Sequence, residues 1–138
     1  MKIYVAGSYA ARKECQATAK RLILDGHQVT STWHDPDNPL EMAWDHDYRG
    51  HIANALAFTA LYSIDQADLV LIDNTVSSTT GGLHVELGYS WANHKKIVLI
   101  GPTTSIFLSL ITEHYDNLDE ALRRIDWPWD HDYRRKGK

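Results

Sequence analysis

Cysteine is almost missing from this chain: Cys15 is the only one among 138 residues, so no disulfide can form within it. On a helix predicted from about Ala11 to Leu24, Cys15 shares a face with Ala11, Ala19 and Leu22, the setting of a packed thiol rather than of a nucleophile. Long apolar runs are also lacking, since nothing approaches the ~20 residues a membrane span needs. Met1-Lys2-Ile3-Tyr4-Val5 is expected to run straight into a strand without a signal peptide. Nor is there an excess of one charge. With 14 Lys+Arg against 18 Asp+Glu the net charge is −4, which offers no broad attraction to a nucleic-acid polymer. The first turn lacks the three glycines of a dinucleotide fingerprint, so NAD is not expected, and nothing beyond the fold class supports a flavin. The absences leave a soluble, cytoplasmic, single-domain protein acting on small ligands, with no cofactor and no resident metal.

What is present is an α/β pattern, expected to give a flavodoxin-like or Rossmann-like three-layer sandwich around a mostly parallel sheet of four to five strands. Ile3 to Ala6 reads as a first strand, and Gly7-Ser8-Tyr9 turns it into the helix that Asp25-Gly26 ends. Val29 to Trp33 reads as a second strand. The loop His34-Asp35-Pro36-Asp37-Asn38-Pro39 leads through Leu40 to Tyr48 to a helix from about His51 to Gln66. Ile52, Leu56, Ala60 and Ile64 stand four apart on it, flanked by Ala53, Ala57 and Leu61, a wide apolar face suited to burial on two sides. Leu69 to Ile72, bounded by aspartates, has the look of a strand buried on both faces. Ile97 to Ile100 is a fourth strand closed by Gly101-Pro102. Ile106 to Ile111 is a short helical or irregular apolar piece, and His114 to Asn117 a candidate fifth strand. Asn117 or Asp119 can cap a last helix to Ile125. Residues 1–126 form the expected domain and 127–138 a C-terminal tail. Trp44-Asp45-His46-Asp47-Tyr48-Arg49 recurs as Trp129-Asp130-His131-Asp132-Tyr133-Arg134, without the paired spacing of a known metal site.

The chemistry concentrates after the central strand. Gly82 to Asn93 reads as a helix whose start, following Thr79-Thr80-Gly81, presents unpaired N–H groups and a positive dipole end, a natural anion site. Glu86 lies about one turn in, between Val85 and Leu87, facing the crevice at the carboxyl ends of the strands. A plain dipole-complementing glutamate is the alternative. Trp33, His34 and Tyr9 fall near strand ends and can stack on a nucleobase, Trp33 foremost, unless it is a core tryptophan. His84 points away from Glu86 on the helix.

On Gly7-Ser8, Ala67-Asp68-Leu69-Val70 and above all Gly81-Gly82-Leu83-His84-Val85-Glu86-Leu87-Gly88-Tyr89, residues 1 to about 125 resemble the nucleoside 2-deoxyribosyltransferase family, which includes 2'-deoxynucleoside 5'-monophosphate N-glycosidases. The resemblance implies a homodimer or higher homo-oligomer whose active sites borrow residues from a neighbour. It also implies a covalent deoxyribosyl intermediate on Glu86, with the sugar passed to another base or to water. The family's second acid corresponds to position 60, where this chain has Ala60. Asp65, Asp68, Asp73 and Asp35 are the alternatives, with Asp73 named beside Glu86 as catalytic. The position six residues before the glutamate is an aspartate in transferases acting on free nucleosides and a hydroxyl residue in the monophosphate hydrolases. Here it is Thr80, which leans toward nucleotides. The expected substrate-binding set is Gly7, Ser8, Tyr9, Trp33, His34, Asp35, Thr80 and Gly82, with Arg12 a further phosphate contact. A nucleotide-binding module of the same fold with impaired catalysis is the competing expectation, motivated by Ala60.

Overall fold

A computed structural model describes residues 1–37, 51–76 and 82–125, with the backbone alone for 51–53. Five strands, β1 (Lys2–Ala6), β2 (Gln28–Val29), β3 (Leu69–Asp73), β4 (Lys96–Ile100) and β5 (Glu113–Tyr115), form one sheet in the order β2-β1-β3-β4-β5. Every pair is parallel. Among the described residues four helices cover it: α1 (Arg12–Leu24), α2 (His51–Asp65), α3 (Gly82–Ala92) and α4 (Leu118–Arg124). This is the expected three-layer sandwich, with the strand order reversing between β1 and β3.

Strand alternation divides the core in two. On one face Ile3, Val5, Leu69, Leu71, Val98 and Ile100 pack against Cys15, Ala19 and Leu22 of α1 and Ala121 of α4. On the other, Tyr4, Ala6, Val70, Ile72 and Leu99 meet Ile64 of α2 and Leu83 and Leu87 of α3. Because β1, β3 and β4 are covered on both sides, their sequences are near-continuous apolar runs. Cys15 is buried, and burial together with the negative charges of Asp73 and Glu86 pushes its thiol well above the ordinary range. It is a packed, unreactive thiol.

The second strand is shorter than Val29 to Trp33. Thr30 N–H still donates to Ile3 O at 2.8 Å, but the next N–H of β1, that of Val5, goes to the Ser31 hydroxyl at 3.0 Å. A side chain has replaced the backbone acceptor and the ladder stops. A 3-10 turn, Tyr9–Ala11, precedes α1, and a second, Ile106–Leu110, follows β4. The ends fall where glycine and asparagine were expected to place them. Gly26 takes φ 92° after α1, and Asn117 Oδ1 accepts from Glu120 N–H at 2.8 Å to start α4. The Leu40 to Tyr48 segment, both copies of the duplicated hexapeptide and the tail lie outside the described residues.

Gly101, at φ 100°, closes β4 against β3: a Cβ there would stand 2.8 Å from the carbonyl carbon and oxygen of Asn74. Left-handed backbone strain and overlap with a fixed main chain act together at this position. Gly101→Ala is therefore expected to lose about 2–4 kcal/mol of stability, read from urea unfolding midpoints. An unchanged midpoint would show that β3 and β4 can separate at this end without cost.

Candidate functional site at the strand reversal

In an open parallel sheet the crevice for a ligand forms at the carboxyl ends of the strands where the order reverses. Here that place lies between the ends of β1 and β3. Gly7 is the tightest point. A Cβ on it would stand 2.6 Å from Cys15 Sγ and 3.1 Å from Asp73 O, so only glycine lets the two strand exits approach. Ser8 is buried, and its hydroxyl donates to Val76 O at 3.2 Å, tying the β1 turn to the segment that leaves β3.

Glu86 is set above this crevice by α3, whose Leu83 and Leu87 bury into the sheet. The residue as a whole is half-buried, but its Oε2 is shut away without a hydrogen-bond partner. Burial pushes the carboxyl up to about 8, an effect partly offset by the Tyr4 hydroxyl. Tyr4 is fully buried in β1, and its own hydroxyl is raised by burial and then by Glu86. The two groups are close enough to perturb each other's ionisation, yet neither Tyr4 Oη nor Glu86 Oε2 makes a hydrogen bond of regular geometry. We take them as facing each other with capacity to spare.

That capacity has no folding rationale. Burying the aromatic ring stabilises by roughly 2–3 kcal/mol, while an unpaired buried hydroxyl costs about 1–3 kcal/mol. Phenylalanine would do as well for the core, and a buried, unpaired carboxyl is costlier still. Tyr4 was missed in the sequence. Its signal there was a lone phenol within the apolar run Ile3-Tyr4-Val5-Ala6, on the strand face shared with Ala6.

The other edge of the crevice follows β2. Trp33 is half-buried, donates from Nε1 to Val5 O at 2.8 Å and packs on both cores. That gives Trp33 a structural part alongside any stacking. His34 is buried, with Nε2 2.8 Å from Ser31 Oγ and Nδ1 3.4 Å from Asp35 Oδ1, too poorly aligned to count as a hydrogen bond. Burial, opposed by Asp35 and reinforced by Arg12, lowers its pKa and keeps the imidazole neutral. Arg12 donates to Asp35 O at 2.6 Å and lies 5.8 Å from the centroid of the Tyr9 ring. Its guanidinium thus braces the 33–35 loop.

The structure brings Gly7, Ser8, Tyr9, Trp33, His34 and Asp35 to one end of the sheet, with Glu86 on the helix above. Gly82 opens α3 and is exposed, with no atom of the described residues within 4 Å of where a Cβ would stand. Thr80 lies outside the described residues. The four aspartates separate cleanly. Asp65 ends α2 and bonds Tyr89, and Asp68 accepts Lys2 N–H, both at the amino edge of the sheet. A strand of five residues puts them about 16 Å from the crevice. Asp35 is exposed at the correct edge. Asp73 is buried on the α1 side, with both carboxylate oxygens engaged. His84 pairs with Ser105 at 2.9 Å and edges onto Phe107, away from Glu86.

No family model and no curated protein matches the sequence. Among solved structures, a 2-deoxyribosyltransferase from the psychrotolerant bacterium Bacillus psychrosaccharolyticus is similar with TM-score 0.62 and 22% identity, over 92% of this chain and 93% of that one. The CMP N-glycosidase BcmB of Clostridium botulinum matches with TM-score 0.46 and 21% identity, over 89% and 96%. The first likeness establishes a shared fold across nearly the whole of both chains. None of the described helices is long and apolar enough to cross a membrane.

The carboxyl of Glu86 makes a pH-dependent cost visible. Its folded pKa lies above its unfolded value, so folding is uncharged for this group below about 4.5, is penalised progressively as pH rises, and carries the full penalty above about 8. Glu86→Gln removes that penalty. It is expected to leave stability unchanged at pH 4 and to raise it by about 1–3 kcal/mol at pH 8, measured by denaturant unfolding across that range.

Proposed function

We propose that the protein cleaves the N-glycosidic bond of 2'-deoxynucleosides or 2'-deoxynucleoside 5'-monophosphates through a covalent deoxyribosyl ester on Glu86. The observation that carries this is the Glu86 carboxyl beside the Tyr4 hydroxyl at the strand reversal, with its Oε2 buried and without a hydrogen-bond partner. The shared fold with a 2-deoxyribosyltransferase and the Gly81-Gly82…Glu86-Leu87-Gly88-Tyr89 resemblance support it.

In this mechanism Glu86 Oε attacks the anomeric carbon as the C–N bond breaks through an oxocarbenium-like state, and the bonding pair leaves with the base. A second nucleophile, water or another base, then attacks the same carbon and frees the carboxylate. Burial, by raising its pKa to about 8, keeps Glu86 largely protonated at neutral pH. A sugar hydroxyl donating to Oε2 would favour the ionised nucleophile, and Tyr4 would hold it in line. Position 60 carries only a methyl group, so help to the leaving base is assigned to Asp35, an acidic side chain exposed at the same edge. Ala60 also motivates a second reading, a nucleotide-binding module without turnover.

Incubation with each 2'-deoxynucleoside and each 5'-monophosphate, with and without a second free base, separates these readings by chromatography of the released base. Release is expected, with Glu86→Gln abolishing it and Tyr4→Phe lowering kcat by roughly 10- to 100-fold. The acidic limb of kcat/KM should centre near pH 8, the free-enzyme value for Glu86. Binding without release from any substrate would establish the module instead.

We also infer a homo-oligomer. On the outer face of the adjacent helices α2 and α3, Phe58 (69%), Tyr62 (64%), Val85 (63%) and Trp91 (56%) are exposed. Such an apolar surface marks an interaction site. Sedimentation should find at least a dimer, and Phe58→Glu with Trp91→Glu should dissociate it; a monomeric wild type would overturn the assignment.

A further inference from the structure

We propose that Asp73 is a positioning residue that sets ligand affinity in the β1–β3 crevice, and not the acid that protonates the leaving base. The proposal rests on the reading of the crevice as the ligand site. Asp73 closes β3 and is 4% exposed. Strand alternation places it with Leu69 and Leu71 on the α1 face, whereas Glu86 comes from α3 across the sheet. Its Oδ2 accepts from Thr18 Oγ1 of α1 at 2.9 Å. Its Oδ1 accepts from Thr75 N–H at 3.1 Å and Thr75 Oγ1 at 2.6 Å. Both oxygens accept from donors inside the protein, which holds the carboxylate to α1 and the 73–76 segment rather than toward a departing base.

The next residues carry that anchorage into the site. Asn74, also buried, donates from its N–H to Ile100 O at 2.8 Å and from Nδ2 to Pro102 O at 2.6 Å and Thr104 Oγ1 at 3.0 Å. Val76 O accepts the Ser8 hydroxyl, and Asp73 O lies where a side chain on Gly7 would collide. Residues 73–76 therefore knit the exits of β1, β3 and β4 to α1. The Asp73 carboxylate is the group that ties this node down on the α1 side. If it is lost, Thr75 and Val76 are released, and with them Ser8 and the crevice floor.

The test is steady-state kinetics alongside calorimetric titration with the four 2'-deoxynucleoside 5'-monophosphates. Asp73→Ala should raise KM and Kd about tenfold, with kcat within about threefold of wild type. Asp73→Asn should restore affinity to within about threefold, because its Oδ1 can still accept from Thr75 while its amide donates to the Thr18 oxygen. Thr18→Val, which removes the donor to Asp73 Oδ2, serves if Asp73→Ala does not fold, and should weaken binding about threefold. The proposal is overturned if Asp73→Asn loses kcat as fully as Asp73→Ala, which is the mark of an acid. It is also overturned if Asp73→Ala, or Thr18→Val in its place, lowers the melting temperature with KM and Kd unchanged. A wild type that binds these nucleotides without releasing base would sink the glycosidase chemistry alone, since the Kd comparison still decides the role of Asp73. No binding of any of them by the wild type would overturn both.

Discussion

A carboxyl with one oxygen shut away from any hydrogen-bond partner is a costly feature of this fold, and much of the rest can be read as what makes it possible. Glu86 keeps its place because Leu83, three residues before it, and Leu87, next to it, bury into the sheet and fix how α3 lies on it. Protonation lowers the cost, which is the physical content of its raised pKa. Tyr4 opposite supplies a hydroxyl that the core itself does not need. Groups that folding alone would discard but chemistry can use mark a candidate functional site.

The strand order makes the place for it. Chain reversal at β1 and β3 sends the two connections to opposite faces of the sheet, opening a gap between them. Gly7 narrows that gap to its limit, and the polar ties from Ser8 to Val76 and from Asp73 to Thr18 and Thr75 hold its walls. Hydrogen bonds to a buried carboxylate are the stronger kind, so the α1 side of the crevice is firmly set. The loop following β2 is braced in turn by Trp33 on Val5 O and Arg12 on Asp35 O. One wall of the site is thus rigid framework, and the glutamate hangs from the other.

Much of the fold was legible. Apolar runs bounded by aspartate or glycine located β1, β3 and β4 to within a residue, and Asn117 and Gly26 marked helix ends through their own local chemistry. Glu86 was legible too, because a charged residue between Val85 and Leu87 breaks the expected surface pattern. β2 was overestimated, since alternation in Val29 to Trp33 does not reveal that the Ser31 hydroxyl will take the next ladder bond. Tyr4 stayed hidden for a related reason: in a strand buried on both faces an aromatic residue looks like core, and only its neighbour across the layer shows otherwise.

Asp73 makes the division plain. Its place at the carboxyl end of the central strand follows from the sequence, as do the parallel α/β class, the packed Cys15 and the glutamate on the following helix. Which way its side chain turns does not. Thr18 lies 55 positions away and becomes its partner only when α1 docks. The same holds for Tyr4 and Glu86, which are 82 positions apart by number and meet through the sheet. Local periodicity and capping are short-range and so are written in consecutive residues. Burial, pairing and ionisation depend on contacts between distant segments, and those were decided by the tertiary structure alone.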